Sequence, residues 1–344
     1  MPLQIRRAEL ESDCTALTEL LRRNLAPEAD SRRFEWLYRE SPHGAARAWL
    51  AVESESGSVV GAAAAFPRRM YFDGFEKKGW VLGDFCLDAK HRSLGPALQL
   101  QRACLRGATN APFEFCYDFP SLAMMAVYKR LGIQPSGNLV RWARPLRLER
   151  KLEPIVRSKL IVRALGTIGN VFFRRRGWKG SKGICELVLH EGRCGPEFTN
   201  LDSRVRERAG VFTVRTAEYL NWRYLDKPGV SYEILTAHRE GGLIGFAVFS
   251  LEGEQGRIVD LCSSDEPEVI ACLLDATTEL LAARGAATVS LTAAVWHPWS
   301  TFFVRAGFRR REESPVVVHA PGGSCPFNAT LIANWHLMQG ERDS

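Results

Sequence analysis

Two short stretches carry residue types whose spacing could do chemistry. The first is WVLGDFCLDAKHRSLGPALQLQRA, residues 80–103. An apolar strand ends there, and Arg92-Ser93-Leu94-Gly95-Pro96-Ala97 leads into a helix. A helix start presents backbone N–H groups with no intrahelical partner. Together with the positive end of the helix dipole they can hold a phosphate or pyrophosphate. Pro96 removes one donor, but a helix start tolerates this because that N–H is unpaired anyway. Lys90, His91 and Arg92 add positive charge. The same turn also reads as a plain helix cap. The second stretch is FEFCYDFPSLAMMAVYKRLGI, residues 113–133, a strand followed by a helix bearing Tyr128. By itself a helical tyrosine reads equally as core. Asp84, Glu114 and Asp118 stand on or beside these strands, where an acid either takes a proton or is merely structural.

Other elements must position these stretches. Apolar spacing predicts a helix over 12–24, with Ser12 or Asp13 as its cap and Leu17, Leu20, Leu21 and Leu25 on one face. RRFEWLYRE predicts a short helix stopped by Ser41-Pro42. RAWLAVES and SVVGAAAAFPRRMYF read as strands joined by the polar turn SESGS. Gly132 is the expected C-cap of the helix carrying Tyr128. The second half repeats this order. Trp36 matches Trp222, Tyr38 matches Tyr224, and Pro42 matches Pro228; Gly61 falls on Gly245, Asp84 on Asp260, Cys86 on Cys262 and Gly132 on Gly307, with offsets that shrink from 186 to 175. Matches in one order imply a duplicated unit of about 150 residues.

The two chemical stretches, in this order, resemble the signature of the GCN5-related N-acetyltransferase superfamily. Its Arg/Gln-x-x-Gly-x-Gly/Ala segment is filled by Arg92, Gly95 and Ala97, and its Tyr-x-x-x-Gly-Phe-like segment by Tyr128, Gly132 and Ile133. The resemblance covers residues 3–145 well and 186–320 more loosely. It implies an α/β fold of two tandem acyl-CoA N-acyltransferase-like domains, each a mixed, mostly antiparallel twisted sheet flanked by helices. The expected boundaries are a catalytic domain at 1–145, a basic connector at 146–185 and a degenerate domain at 186–344. It further implies that acetyl-CoA or another acyl-CoA lies in a V between the two strands, with no metal. The backbone of Phe85, Cys86 and Leu87 would pair with the pantetheine arm, and Arg92 with the N–H groups of Ser93, Leu94, Gly95, Ala97 and Leu98 would hold the pyrophosphate. A primary amine would attack the thioester directly. Tyr128 would protonate the departing thiolate, and Asp84, Glu114 or Asp118 would take the amine's proton. Ser121 stands where the family often has Asn; it can still cap the following helix. Two rival readings are a FemABX-like transferase using aminoacyl-tRNA and a non-catalytic acyl-CoA-binding module. Against the first, the Arg92–Ala97 turn is a CoA feature. The second half departs from the pattern: Asp265, Glu266 and Glu268 stand where a pyrophosphate would sit, and Phe303 replaces the tyrosine.

Composition bounds the rest. With 344 residues, 46% hydrophobic and 25% charged, the chain has apolar mass for more than one core. Nine cysteines include no CxxC pair and read as buried small hydrophobes in a reducing compartment. The N-terminus lacks a secretory pattern and no run reaches a spanning length, so a cytoplasmic protein is expected. Residues 141–182 hold 13 Lys or Arg against two acids, a local charge of +11 in a chain whose total is +7. In this connector Leu152, Ile155, Leu160, Ile161 and Leu165 suit an amphipathic helix, and Phe172, Phe173 and Trp178 flank Arg174-Arg175-Arg176. Peripheral contact of 146–182 with the inner face of an anionic membrane, an acidic substrate, or packing over the domains all fit it. No nucleic-acid fold signature accompanies it. The expected partner is a small-molecule, lipid or sugar amine; amino sugar, polyamine, peptide N-terminus and lysine stay open.

Overall fold

The first strands follow the apolar runs. β1 (Leu3–Arg7) pairs antiparallel with β2 (Arg47–Glu53), β2 with β3 (Val59–Phe72), and β3 with β4 (Phe75–Leu87). The alanine run of β3 has no polar face, so it needs cover on both sides. Ala62 and Ala64 pack in one core with Leu17, Leu20 and Leu21 of α1 (Cys14–Asn24). The short α2 (Ser31–Phe34) follows α1 and adds Phe34 to that core. Ala63 and Ala65 face the opposite core, with Leu100, Cys104 and Leu105 of α3 (Leu94–Ala108). Leu25 departs from its expected place: it lies just past the end of α1 and is exposed. β5 (Phe115–Asp118), α4 (Leu122–Arg130) and β6 (Gly137–Pro145) complete the first half.

The computed structural model describes residues 2–109, 114–147, 184–207, 210–264, 267–320 and 335–342. Most of the basic connector, with its proposed amphipathic face and Arg174–Arg176, lies outside these residues, as do Asp265 and Glu266. The second half supplies β7 (Glu186–Leu189), α5 (Pro196–Val205), β8 (Val211–Thr213), α6 (Ala217–Leu220), β9 (Glu233–Arg239), β10 (Gly242–Glu252), β11 (Gln255–Ser263), α7 (Pro267–Ala283), β12 (Thr288–Ala294), α8 (Ser300–Arg305) and β13 (Arg309–His319). All described strands form one 13-stranded mixed sheet, mostly antiparallel and flanked by helices, ordered β1-β2-β3-β4-β5-β13-β6-β12-β11-β10-β9-β7, with β8 on β3. Among the described strands only β4–β5 and β11–β12 pair in parallel.

The halves interlock at the middle of this sheet. β6 of the first half lies between β12 and β13, while β13 of the second half lies between β5 and β6. Residue 145 is therefore the end of a strand bonded on both sides to second-half strands, and the sheet has no break there. The residues matched by the internal repeat occupy matching places. Trp36 and Trp222 sit in equivalent π-helical turns, Glu35–Arg39 and Asn221–Leu225. Each donates its indole N–H to the other's backbone carbonyl at 2.7 Å, and the rings stack. Gly61 and Gly245 each bring bare backbone against the carbonyl of the matched Cys86 and Cys262, where a Cβ would crowd the strand. Gly132 and Gly307 both end helices at positive φ, +77° and +88°.

Candidate active site

The site begins where two parallel strands part. β4 and β5 pair only over Gly79–Val81 and Phe115–Tyr117. Beyond that, β4 carries a bulge: its register against β3 slips between Ala62 and Ala64, and Asp84 takes φ +46°. Aspartate is among the few residues that accept this left-handed conformation readily. Its carboxylate accepts from both Arg33 Nη atoms, at 2.7 and 3.0 Å, and from the Tyr38 hydroxyl at 2.8 Å. Burial and the Asp84 charge hold the Tyr38 phenol well above its usual range, so it stays a donor. The bulge is thus pinned by a buried, fully paired acid rather than left to flex.

The parted strands enclose a cavity of about 560 Å³. Phe85, Cys86 and Leu87 of β4 form one wall, and Ser121 stands on the other. Arg92, Ser93, Leu94 and Ala97 close the end at the start of α3. Ser93 makes no side-chain cap there, so its hydroxyl does not occupy the first amides of the helix. Gly95 and Leu98 sit in the same first turn without lining the cavity, and a side chain at Gly95 would meet open space. Arg92 is braced, donating to the Leu87 carbonyl at 2.9 Å and to Asn24 Oδ1 at 2.9 Å. Ser121 caps α4 by accepting from the Met124 amide at 3.2 Å.

Asp118 also lines the cavity. One of its oxygens accepts the Tyr128 hydroxyl at 2.6 Å, and the other accepts the Phe119 amide at 2.7 Å. Gln101 donates in turn to the Tyr128 oxygen at 2.8 Å. Asp118 and Gln101 line the cavity; Tyr128, with 0% exposure, lies behind them. Burial pushes the Asp118 carboxyl up to about 6, against the opposing effects of Tyr128, the Phe119 amide and Arg342. Burial, then the Asp118 charge, raises the Tyr128 phenol well above its usual range. Glu114 precedes β5, at the end away from the cavity, and does not line it. Sequence reasoning passed over Asn24, Leu25, Gln101 and Arg342 as wall residues. Gln101 had a signal: it is a polar residue on the buried face of α3, between Ala97 and Cys104.

No family model matches the sequence, and no curated protein matches it. Solved structures do match the fold. A GCN5-related N-acetyltransferase from Anabaena variabilis superposes with a TM-score of 0.64 at 14% identity, covering 92% of this chain and 72% of that one. A probable N-acyltransferase of Enterococcus faecalis gives 0.63 at 10% identity, with 92% and 72% coverage. Saccharomyces cerevisiae N-myristoyltransferase, solved with myristoyl-CoA, gives 0.54 at 13% identity, with 92% and 81% coverage. The chain has the GCN5-related N-acetyltransferase fold.

Within this fold the second half treats the equivalent V differently. β11 and β12 pair over Gln255–Ile258 and Thr288–Leu291 and then part. The chain's own C-terminal segment lies there. Met338 bridges Ala293, the Ala294 amide donates to the Leu337 carbonyl at 3.0 Å, and Gly340 abuts the Val259 carbonyl and the Tyr224 hydroxyl so closely that no Cβ fits. Asp260, matched to Asp84, is held the same way, by Arg215 at 2.9 and 3.0 Å and Tyr224 at 2.9 Å. Arg215 also donates to Glu341 of the tail at 2.8 Å. Phe303, matched to Tyr128, is fully buried against Trp142. Glu268 stands in the first turn of α7. Past the second V the same segment reaches the first cavity, where Arg342 forms part of the wall.

Proposed function

We infer that the chain is an acyl-CoA-dependent N-acyltransferase that moves an acyl group to a primary amine by direct attack. The observation that carries this reading is the cavity itself. It lies between parted parallel strands, and its lining combines a helix start and Arg92 with a titratable acid, Asp118. A phosphate-bearing thioester needs both: positive charge for its phosphates and a proton-handling group at its carbonyl. Arg92 with the amides of Leu94 and Gly95 takes the pyrophosphate, the Ser93 and Ala97 amides being bonded to the His91 and Ser93 carbonyls at 2.7 and 3.3 Å, and the edge of Phe85–Leu87 takes the pantetheine arm. Acetyl-CoA is the simplest donor, and the acceptor is a small-molecule, sugar or lipid amine. Titration calorimetry with acetyl-CoA, followed by thiol release in the presence of spermidine, glucosamine or a glycyl peptide, tests the reading. Binding without release under any of these amines would favour a non-catalytic acyl-CoA module, and no binding would remove the cofactor assignment.

A further inference from the structure

The proton chemistry of the cavity converges on one side chain. Resting on the N-acyltransferase reading above, we propose that Asp118 is the acid–base catalyst and that Tyr128 and Gln101 are positioning residues that hold it. Two carboxylates line the cavity, Asp84 and Asp118. Asp84 is spent: both its oxygens accept from Arg33, one of them also from Tyr38, and its side chain is 1% exposed. Asp118 accepts from two neutral donors, the Tyr128 hydroxyl and the Phe119 amide, and opens on the cavity. Tyr128 has no exposed surface. Its single proton is directed at Asp118, and Gln101 occupies a lone pair of its oxygen. A thiolate in the cavity meets Asp118, not the phenol.

The step balances with one group. The neutral amine nitrogen bonds to the thioester carbonyl carbon, and the proton that nitrogen sheds passes to the Asp118 carboxylate. The C–S bond then breaks with its electron pair on sulfur, and the Asp118 carboxyl returns the same proton to that sulfur. The products are the amide and free CoA thiol, and Asp118 is again a carboxylate. An acid titrating near 6 is mostly ionised at neutral pH and, once protonated, is strong enough to protonate a thiolate whose thiol ordinarily titrates about 8.5. The groups around it leave that range clear. Tyr128 from α4, Cys104 from α3 and Cys116 on β5 are all held up by burial. His319, across from Cys116 on β13, is held down by burial, and Arg342 of the tail carries a permanent charge that favours the carboxylate.

The experiment compares wild type, Asp118→Asn and Tyr128→Phe in acetyl-CoA binding and in thiol release with the amine found active above, from pH 5 to 8. Asn keeps an acceptor for Tyr128 but cannot exchange the proton. We expect Asp118→Asn to keep acetyl-CoA affinity, which also reports an intact fold, and to lose on the order of 10³-fold in kcat. The ratio of wild-type to Asp118→Asn rate cancels the acceptor's own ionisation, and it should climb with pH through about 6 and then level. Tyr128→Phe should lose less and move that midpoint upward, because the lost hydrogen bond favoured the carboxylate. Full kcat in Asp118→Asn, or a pH-independent ratio, overturns the role of Asp118 and leaves the N-acyltransferase reading standing. A wild type that binds no acetyl-CoA overturns both.

Discussion

Asp84 and Asp118 line one cavity, and their partners differ. A bidentate guanidinium fixes Asp84 as a charge in place, whereas Asp118 has neutral donors and a raised carboxyl. Gly95 tests the helix start. Apart from its chain neighbours and the backbone of its own helix, no atom lies within 4 Å of the position its Cβ would take, so Gly95→Glu should fold as wild type does. The new carboxylate is compatible with a helix start but competes with phosphate for the same positive end. Calorimetry should show acetyl-CoA affinity falling at least about tenfold, the ~1.4 kcal/mol that one misplaced charge at such a site readily costs. Unchanged affinity would move the pyrophosphate away from this turn.

At the scale of elements, one device shapes the first V and another joins the two halves. The β4 bulge turns the strand out of register at Asp84, and the π-helical turns put Trp36 and Trp222 in reciprocal contact. Both indole N–H groups are buried donors to backbone carbonyls, so losing one leaves a carbonyl unsatisfied. Trp36→Phe should cost about 1–3 kcal/mol of unfolding free energy. Trp222→Phe should cost a similar amount. Because the two rings touch, the double variant should depart from the sum of the singles by about 0.5 kcal/mol or more in urea titrations. Strict additivity would mean that the turns are stabilised independently.

The whole molecule has two equivalent clefts and uses them unequally. The first is open; the second is filled by residues 338–341 of the same chain, which bond to β12 and to Arg215. Acetyl-CoA should therefore bind with a stoichiometry of one per chain, and a second site of comparable affinity would refute the plug. Gly340→Val places a side chain against the Tyr224 hydroxyl and the Val259 carbonyl. It should lower stability by about 1–3 kcal/mol, as overpacking does, and it should also disturb Arg342 at the first cavity. A denaturant midpoint identical to wild type would show that the tail is not seated there. Among the described residues no helix is long and apolar enough to cross a membrane.

What the sequence determined is what neighbours along the chain decide. Period-2 and period-3.6 apolar spacing placed β2, β3, β4, α1, α3 and α4 within a few residues of where they stand. The turn before α3 was legible because helix starts are set by local residues, and the repeat was legible because Trp36, Tyr38, Gly61 and Asp84 recur in order. What only the tertiary structure decided is who meets whom across long separations. Arg33 and Tyr38 reach Asp84 from 51 and 46 residues away, and nothing in the spacing of Asp84, Glu114 and Asp118 told which acid would be paired. The order Gln101, Tyr128, Asp118 depends on how α3 and α4 pack, so Tyr128 stands one hydrogen bond behind the cavity wall. The exchange of β6 and β13, and the delivery of Arg342 to the first cavity from the far end of the chain, had no local signal. Strand pairing and burial are won by the sum of contacts over the whole sheet, and a sequence window of ten or twenty residues contains only one side of each of those contacts.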